Sequence, residues 1–290
     1  MSYYSYKNIY ITGTKRAVVD FVNRGLKGSK CTERVSVRMT GEQIVDVVNG
    51  LKDKHIEMDS YLPSPRTFLK LPTYNPMKDF TDWYAAGCVG HSNYEGKDYT
   101  KRMREIEDYM EAHPEVNSKE DALRMMHPDI DQQYAKYVRQ YKRAKAYQKK
   151  KYGGDEIDWN FEHYGCKWPA SFTDWKVEKE SEDKLCLYTC IETSRSSVPF
   201  YHFINKMVGI TVYMFGSEAC DYGYYYNGKT DEARAICPFD DKDYDQKVQA
   251  YEEKHKNDEG YDPDFSTEMW ASEMIDDFLD NFIAQIEKEL

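Results

Sequence analysis

Between Asn160 and Gly228 the apolar residues change their spacing from a period of two to one of 3.6 and back, and that order constrains the fold more than any other feature of the chain. Residues 167–179 are β-prone, with aromatic side chains at Trp168, Phe172 and Trp175. In residues 184–192, Leu185, Leu187, Thr189 and Ile191 fall on one face of a strand. Residues 196–207 predict a helix, residues 210–215 and 222–226 predict two more strands, and Asn227-Gly228 is a turn dipeptide that ends the last of them.

A similar order opens the chain. Residues 8–12 alternate in a β-prone run, and Val18, Val19, Phe21, Val22 and Leu26 follow at helical spacing up to Gly28. A second short strand is expected over 34–39, with Thr40 capping a helix that carries Ile44, Val45, Val48 and Leu51. Pro63, Pro65, Pro72 and Pro76 then imply an extended crossing, because proline disrupts both helix interiors and central strands. Helices are expected over 79–86, 98–112, 119–126 (capped by Ser118) and from Asp129 or Asp131 to Lys151, where Gly153-Gly154 stops the run. The resulting division is a discontinuous α+β core over 1–76 and 153–238, a helical insertion over 77–152 and an acidic helical extension over 239–290. The last helix carries Trp270, Ile275, Phe278, Leu279, Phe282 and Ile286 over a broad apolar face, which suits docking onto its own domain or, failing that, a homo-oligomer contact.

Charge is segregated along the chain. The net charge is −11, which disfavours general affinity for nucleic-acid backbone. Yet residues 134–152 hold eight Lys or Arg and no acid, whereas residues 240–290 hold 17 acids against five Lys. The 26 tyrosines suit large half-buried surfaces, including interfaces, better than a dry aliphatic core. The mean hydropathy of −0.84 and the lack of any run near the roughly 20 apolar residues of a membrane span predict a protein of the cytoplasm, with no membrane partner. Seven cysteines without repeated pair spacing predict reduced, mostly buried thiols.

The Tyr164-Gly165-Cys166-Lys167-Trp168 corner, the Leu62-Pro63-Ser64-Pro65 segment and the Ser196-Ser197-Val198-Pro199 helix entry together resemble the YubB ferredoxin-like family of phage- and plasmid-borne proteins. Members of that family usually carry Trp-Gly-Thr-Lys-Trp at the corner and a Thr-x-Trp-x-x-Pro helix entry. Here Tyr164 stands for the first Trp and Cys166 for Thr; in the second motif Arg195, two after Thr193, stands for the Trp, and Pro199 comes one position later than that spacing gives. The resemblance implies a ferredoxin-like antiparallel sheet with two packing helices and an origin on a mobile element; it brings no catalytic residues. Physically, Gly165 suits a corner needing positive φ, and Pro199 suits a first helical turn.

Chemistry-bearing motifs are sparse. There is no Walker loop, dinucleotide fingerprint, His-Glu-x-x-His or Cys-x-x-Cys, so no cofactor, no metal and no enzymatic activity are expected. His163 with Cys166 and His202 on its helix are the residues weighed for catalysis, and Glu218 and Asp221 for a divalent ion; each reads more simply as structural or solvated. The aromatic run at Tyr222, Tyr224 and Tyr226 suits stacking of bases or, more simply, packing against a helix. The stronger candidate is the helix over 134–151. Tyr134, Tyr137 and Tyr141 form an i, i+3, i+7 stripe among Lys142, Arg143, Lys145 and other cations, a pattern suited to an acidic protein partner or, second, to nucleic acid. The alternative is an amphipathic helix packed by its tyrosines with its lysines merely solvated. The expected function is therefore that of a non-enzymatic interaction protein that binds a host macromolecule, with inhibition of a host defence system as the specific case.

Overall fold

Strand β1 (Ser5–Thr14) organises the sheet, because both of its edges are paired. Its period-two pattern puts Lys7, Ile9 and Ile11 on one buried face. It pairs antiparallel with β3 (Lys184–Thr193), setting Ile11 opposite Leu187, and with β4 (Ile210–Glu218), setting Ile9 opposite Met214. With β2 (Thr173–Glu180), β5 (Tyr222–Asn227) and β6 (Glu232–Ile236), the strands form one six-stranded antiparallel sheet in the order β2-β3-β1-β4-β5-β6. The computed structural model describes residues 5–51, 54–65, 80–85, 97–193, 196–218 and 221–290. Of the proline-bearing crossing expected over 61–76, residues 66–76 with Pro72 and Pro76 lie outside them, as do Cys88, Arg195 and Cys220.

Helix α1 (Lys15–Gly28) follows β1 without a loop, because the Thr14 side chain accepts from Ala17 N and so caps the first turn. Its Val18, Phe21, Val22 and Leu26 are buried. Helix α2 (Gly41–Asn49) begins in a capping box in which Thr40 and Gln43 satisfy each other's backbone N–H groups. Residues 34–39 do not form the expected strand. The amide of Asn23 takes both ladder positions of Val35, donating to its carbonyl at 2.8 Å and accepting from its N–H at 3.0 Å. A side chain on α1 thus supplies the pairing that a neighbouring strand would have given. A single turn, α3 (Met58–Tyr61), puts Tyr61 flat against Phe21 at 4.5 Å.

On the opposite side of β4 and β5, the C-terminal helix α11 (Ser266–Glu287) covers the sheet. Tyr213, Phe215, Ile275, Leu279, Phe282 and Ile286 form one buried cluster, and Phe282 stacks on Tyr225 at 4.0 Å with planes 5° apart. Its apolar face is therefore committed to its own sheet, the first of the two uses expected of it. Helix α10 (Tyr244–His255) packs beside it through Val248, Trp270 and Ala271. Strand β6 went unpredicted: Glu-Ala-Arg-Ala-Ile alternates charges with alanines, which are poor strand formers, and its pairing with β5 is what makes it a strand.

The chain divides into two units, one of residues 1–64 and 160–290 and the other of residues 65–159. Residues 239–290 belong to the first unit. The second unit is helical: α4 (Phe80–Ala85), α5 (Lys97–Ala112), α6 (Lys119–Met126), α7 (Ile130–Tyr152) and the start of α8 (Glu156–His163). Ile106, Val116, Ala122 and Leu123 form a small core there, with Tyr84 and Met103 against it. No described helix is long and apolar enough to cross a membrane.

Candidate functional site

Helix α7 carries the expected binding residues and separates them onto two sides. Tyr134, Tyr137, Val138, Tyr141 and Ala144 are half-buried and Gln148 is buried, which is one continuous helical stripe. Tyr134 meets Trp83 of α4 edge-on at 5.0 Å, and Tyr137 meets the same ring at 5.7 Å. Two of the three predicted contact tyrosines therefore serve the helical unit's own packing. The cations point the other way: Lys136, Arg139, Lys142, Arg143, Lys145, Lys149, Lys150 and Lys151 are all exposed. Among the described residues no carboxylate lies within ion-pair distance of any of them. Lys151 instead sits over the rings of Tyr147 and Tyr152, at 5.5 and 5.0 Å. Gly153 ends the helix in the left-handed region at φ 81°, and the last-turn lysines complement the carbonyl end of the helix dipole.

A second charged feature, unforeseen from the sequence, lies inside the sheet unit. Lys7 is fully buried, and its ammonium donates to Ser5 O at 2.8 Å, Ser5 Oγ at 2.5 Å and Thr193 O at 2.7 Å. It also sits 5.3 Å over the Tyr224 ring. Burial lowers its pKa from the usual lysine value to about 8, against the opposing pull of Glu218. Ser197, also fully buried and at φ 57°, donates to Thr193 Oγ1 at 3.2 Å. Lys7 thus joins the start of β1 to the end of β3. The signal was present, since Lys7 shares its face with Ile9 and Ile11.

The Gly165 corner packs onto this same region. Gly165 has φ 73°, and a Cβ there would lie 2.7 Å from Pro199 Cδ and 2.9 Å from Ser197 Cα, so the corner and the helix entry meet through a glycine that nothing larger can replace. Tyr164 is buried and donates to Leu62 O. Trp168 is different: it is 46% exposed, with Lys167 over its ring, rather than packed beside the glycine. Pro199 stands in the first turn of α9 (Val198–Asn205), where its missing N–H costs nothing.

Two of the residues weighed for catalysis, Cys166 and His202, each have a partner within the fold. Cys166 is buried, donates to Trp168 O at 3.0 Å, and has its thiol pKa pushed up by burial, the direction opposite to that of an activated nucleophile. His202 Nδ1 pairs with Asp231 at 2.6 Å, and Tyr226 donates to the same carboxylate oxygen at 2.7 Å. The Tyr226 bond is the main reason the Asp231 pKa is lowered. This joins α9 to the β5–β6 turn, where Asp231 holds φ 57°. Tyr224 and Tyr226 are buried, Tyr224 beneath the Lys7 ammonium and Tyr226 stacking on Tyr201 of α9 at 6.4 Å, so they present no open face for bases; Tyr222 stays 45% exposed. The five described cysteines are free thiols, and no group of three His, Cys, Asp or Glu able to hold a metal ion occurs among the described residues. No protein-family model, no curated protein and no solved structure matches the chain.

Proposed function

We propose that the protein is a non-enzymatic interaction protein of a phage or other mobile element, and that it grips an acidic face of a host protein through the cationic side of α7. The observation that carries this reading is the division of α7: Tyr134 and Tyr137 turn inward onto Trp83, and eight exposed cations face outward without a carboxylate partner among the described residues. Such a face is costly to keep, since like charges one turn apart repel by about 0.2–0.5 kcal/mol per pair. Helix α7 has several, including Arg139 with Arg143 and Lys145 with Lys149.

The mobile-element origin rests on the resemblance to the YubB family. The strand order β2-β3-β1-β4, with α1 on the path from β1 to β2 and α9 between β3 and β4, supports the ferredoxin-like part of that reading, as two split β-α-β units. Strands β5 and β6 and helix α11 are then additions to such a core. Inhibition of a host defence system is the specific case this origin suggests.

A second reading, a nucleic-acid-binding module, is favoured by one detail: Tyr147 is 48% exposed beside Lys151, a ring and a cation available together. Capture from nuclease-treated host lysate separates the two. The protein reading predicts a host protein retained at stoichiometric ratio after nuclease treatment and again with the purified components. Retention of nucleic acid alone, with affinity falling steeply with salt, would replace it by the second reading.

A further inference from the structure

The sheet unit carries a groove that neither α7 nor the proposed function uses. It lies between α1 and α9, has a volume of about 520 Å3, and is floored by Phe21, Phe203, Met207 and Ile210. That volume is in the range of roughly 300–1,000 Å3 typical of ligand sites. At its lip stands Val208, 96% exposed and the most exposed of the large apolar side chains among the described residues. The turn that presents Val208 is held tightly. Gly209 takes φ 77°, and its carbonyl oxygen is 2.1 Å from where a Cβ on Gly13 would lie, so β1 and this turn touch backbone to backbone. The exposed valine is therefore a fixed knob on a rigid element, and its apolar surface continues that of the groove.

The rim supplies the second half of the recognition. Arg24 and Lys206 are exposed at the groove, one from α1 and the other at the C-cap of α9. The Arg24 guanidinium lies 6.0 Å over the Phe203 ring and makes only a long 3.4 Å contact to Tyr61 O. Neither cation has a carboxylate within ion-pair distance among the described residues; Asp20, one turn before Arg24 on α1, also lines the groove but pairs with neither. The groove thus combines an apolar floor, two cations without a direct ion pair, of which Lys206 lies in the field of Asp231, and one carboxylate displaced along α1. A trough between two helices accepts a third helix as ridges enter grooves. Charge complementarity then selects a helix whose apolar side chains are flanked by acids.

We infer that the α1–α9 groove is a docking site for an acidic amphipathic helix of a partner protein. The partner's apolar side chains lie on Phe203, Met207 and Val208, and its carboxylates lie between Arg24 and Lys206. This site is independent of the α7 surface and does not rest on it.

The probe is a fluorescein-labelled synthetic helical peptide with leucines along one face and flanking glutamates, titrated into the full-length protein and followed by anisotropy. Its counterparts are the same peptide with lysines for glutamates and a scrambled glutamate peptide. Saturable binding of the glutamate peptide is expected, with both counterparts weaker by about tenfold or more. The double variant Arg24→Glu/Lys206→Glu reverses the preference, losing the glutamate peptide and gaining the lysine peptide. Both positions are exposed, so its circular dichroism and melting should match the parent. Val208→Ser weakens the glutamate peptide severalfold with no change of charge. The variant Lys142→Glu/Arg143→Glu/Lys145→Glu retains full peptide affinity, which keeps failure here distinct from failure of the α7 reading. Equal affinity for glutamate and lysine peptides, no binding of either, or indifference to the double reversal would overturn the inference, as would loss of binding in the α7 variant.

Discussion

Lys7 and Lys142 mark the contrast between the two units. Lys7 sits on a central strand at 0% exposure with three oxygen acceptors around its ammonium, whereas Lys142 stands in solvent on α7 with no described carboxylate near it. The sheet unit uses its polar groups to build itself. Asn23 completes the backbone of Val35, Tyr226 and His202 share Asp231, and Tyr213 donates to Glu289 at 2.7 Å to help hold the end of α11. In the helical unit the core of Ile106, Val116, Ala122 and Leu123 and the contacts of Trp83 with Tyr134 and Tyr137 do the packing, Arg124 and Lys119 pair with Asp131 and Glu107, and the cations of α7 form no such pair among the described residues. Charges that serve the fold can be explained by the fold; the α7 charges oppose one another along the helix and need another explanation.

Four perturbations test how firmly that contrast holds, beginning with the largest effect. Phe282→Ala removes the ring stacked on Tyr225 and edge-on to Phe215, and should cost about 3–5 kcal/mol in urea unfolding. A loss below about 1 kcal/mol would mean that α11 is only loosely attached to the sheet.

The next is a pH profile. Because the folded-state pKa of Lys7 is lowered to about 8 from 10.5, the unfolded chain binds more protons between those values. Lys7 therefore opposes folding fully below about pH 8, and that cost fades as pH rises toward 10.5. At about 1.4 kcal/mol per pKa unit the share of Lys7 in this rise is at most on the order of 3 kcal/mol, opposed above pH 9 by the thiols of Cys166, Cys186 and Cys190, whose pKa burial raises. Lys7→Met should flatten this part of the profile relative to the parent. An unchanged slope would show that Lys7 is not the group responsible.

Gly165→Ala comes third. It places a Cβ against Pro199 and Ser197 at φ 73° and should cost about 1–3 kcal/mol, read as a shift in the urea midpoint. A neutral result would mean that the corner can open without loss. Smallest is the effect on stability of Lys142→Glu/Arg143→Glu/Lys145→Glu, expected within about 0.5 kcal/mol of the parent. The new carboxylates at 143 and 145 face Arg139 and Lys149 one turn away, which relieves repulsion. A large loss of stability would place these cations in the fold after all.

Much of the sheet was legible because its apolar residues keep a strict period. Ile9 and Ile11, Leu185 to Ile191, and Val18 to Leu26 name a strand, a strand and a helix by spacing alone, and the structure has them there. Residues 34–39 read as a strand because local propensity contains no information about Asn23, a distant side chain that pairs the backbone instead. Strand β6 and helix α8 were missed for the converse reason. The first alternates only alanines with charges and has one β-branched residue, Ile236, and the second rests on a local cap, Asp155 accepting from Ile157 and Asp158 N–H. On α7 the stripe and the cations were legible from spacing and charge. That the stripe is occupied by Trp83 was not, since that contact joins residues about fifty positions apart.

The central claim is that the α7 cations exist for a partner and not for the fold, and the most direct measurement compares the parent with Lys142→Glu/Arg143→Glu/Lys145→Glu. Both are immobilised at equal density, exposed to nuclease-treated host lysate, and the retained proteins are quantified by mass spectrometry, with circular dichroism and melting recorded on the same preparations. The account predicts matching spectra and melting, and at least one host protein retained stoichiometrically by the parent and lost from the variant. The same host proteins retained in equal amount by both, or none retained by either, would contradict it.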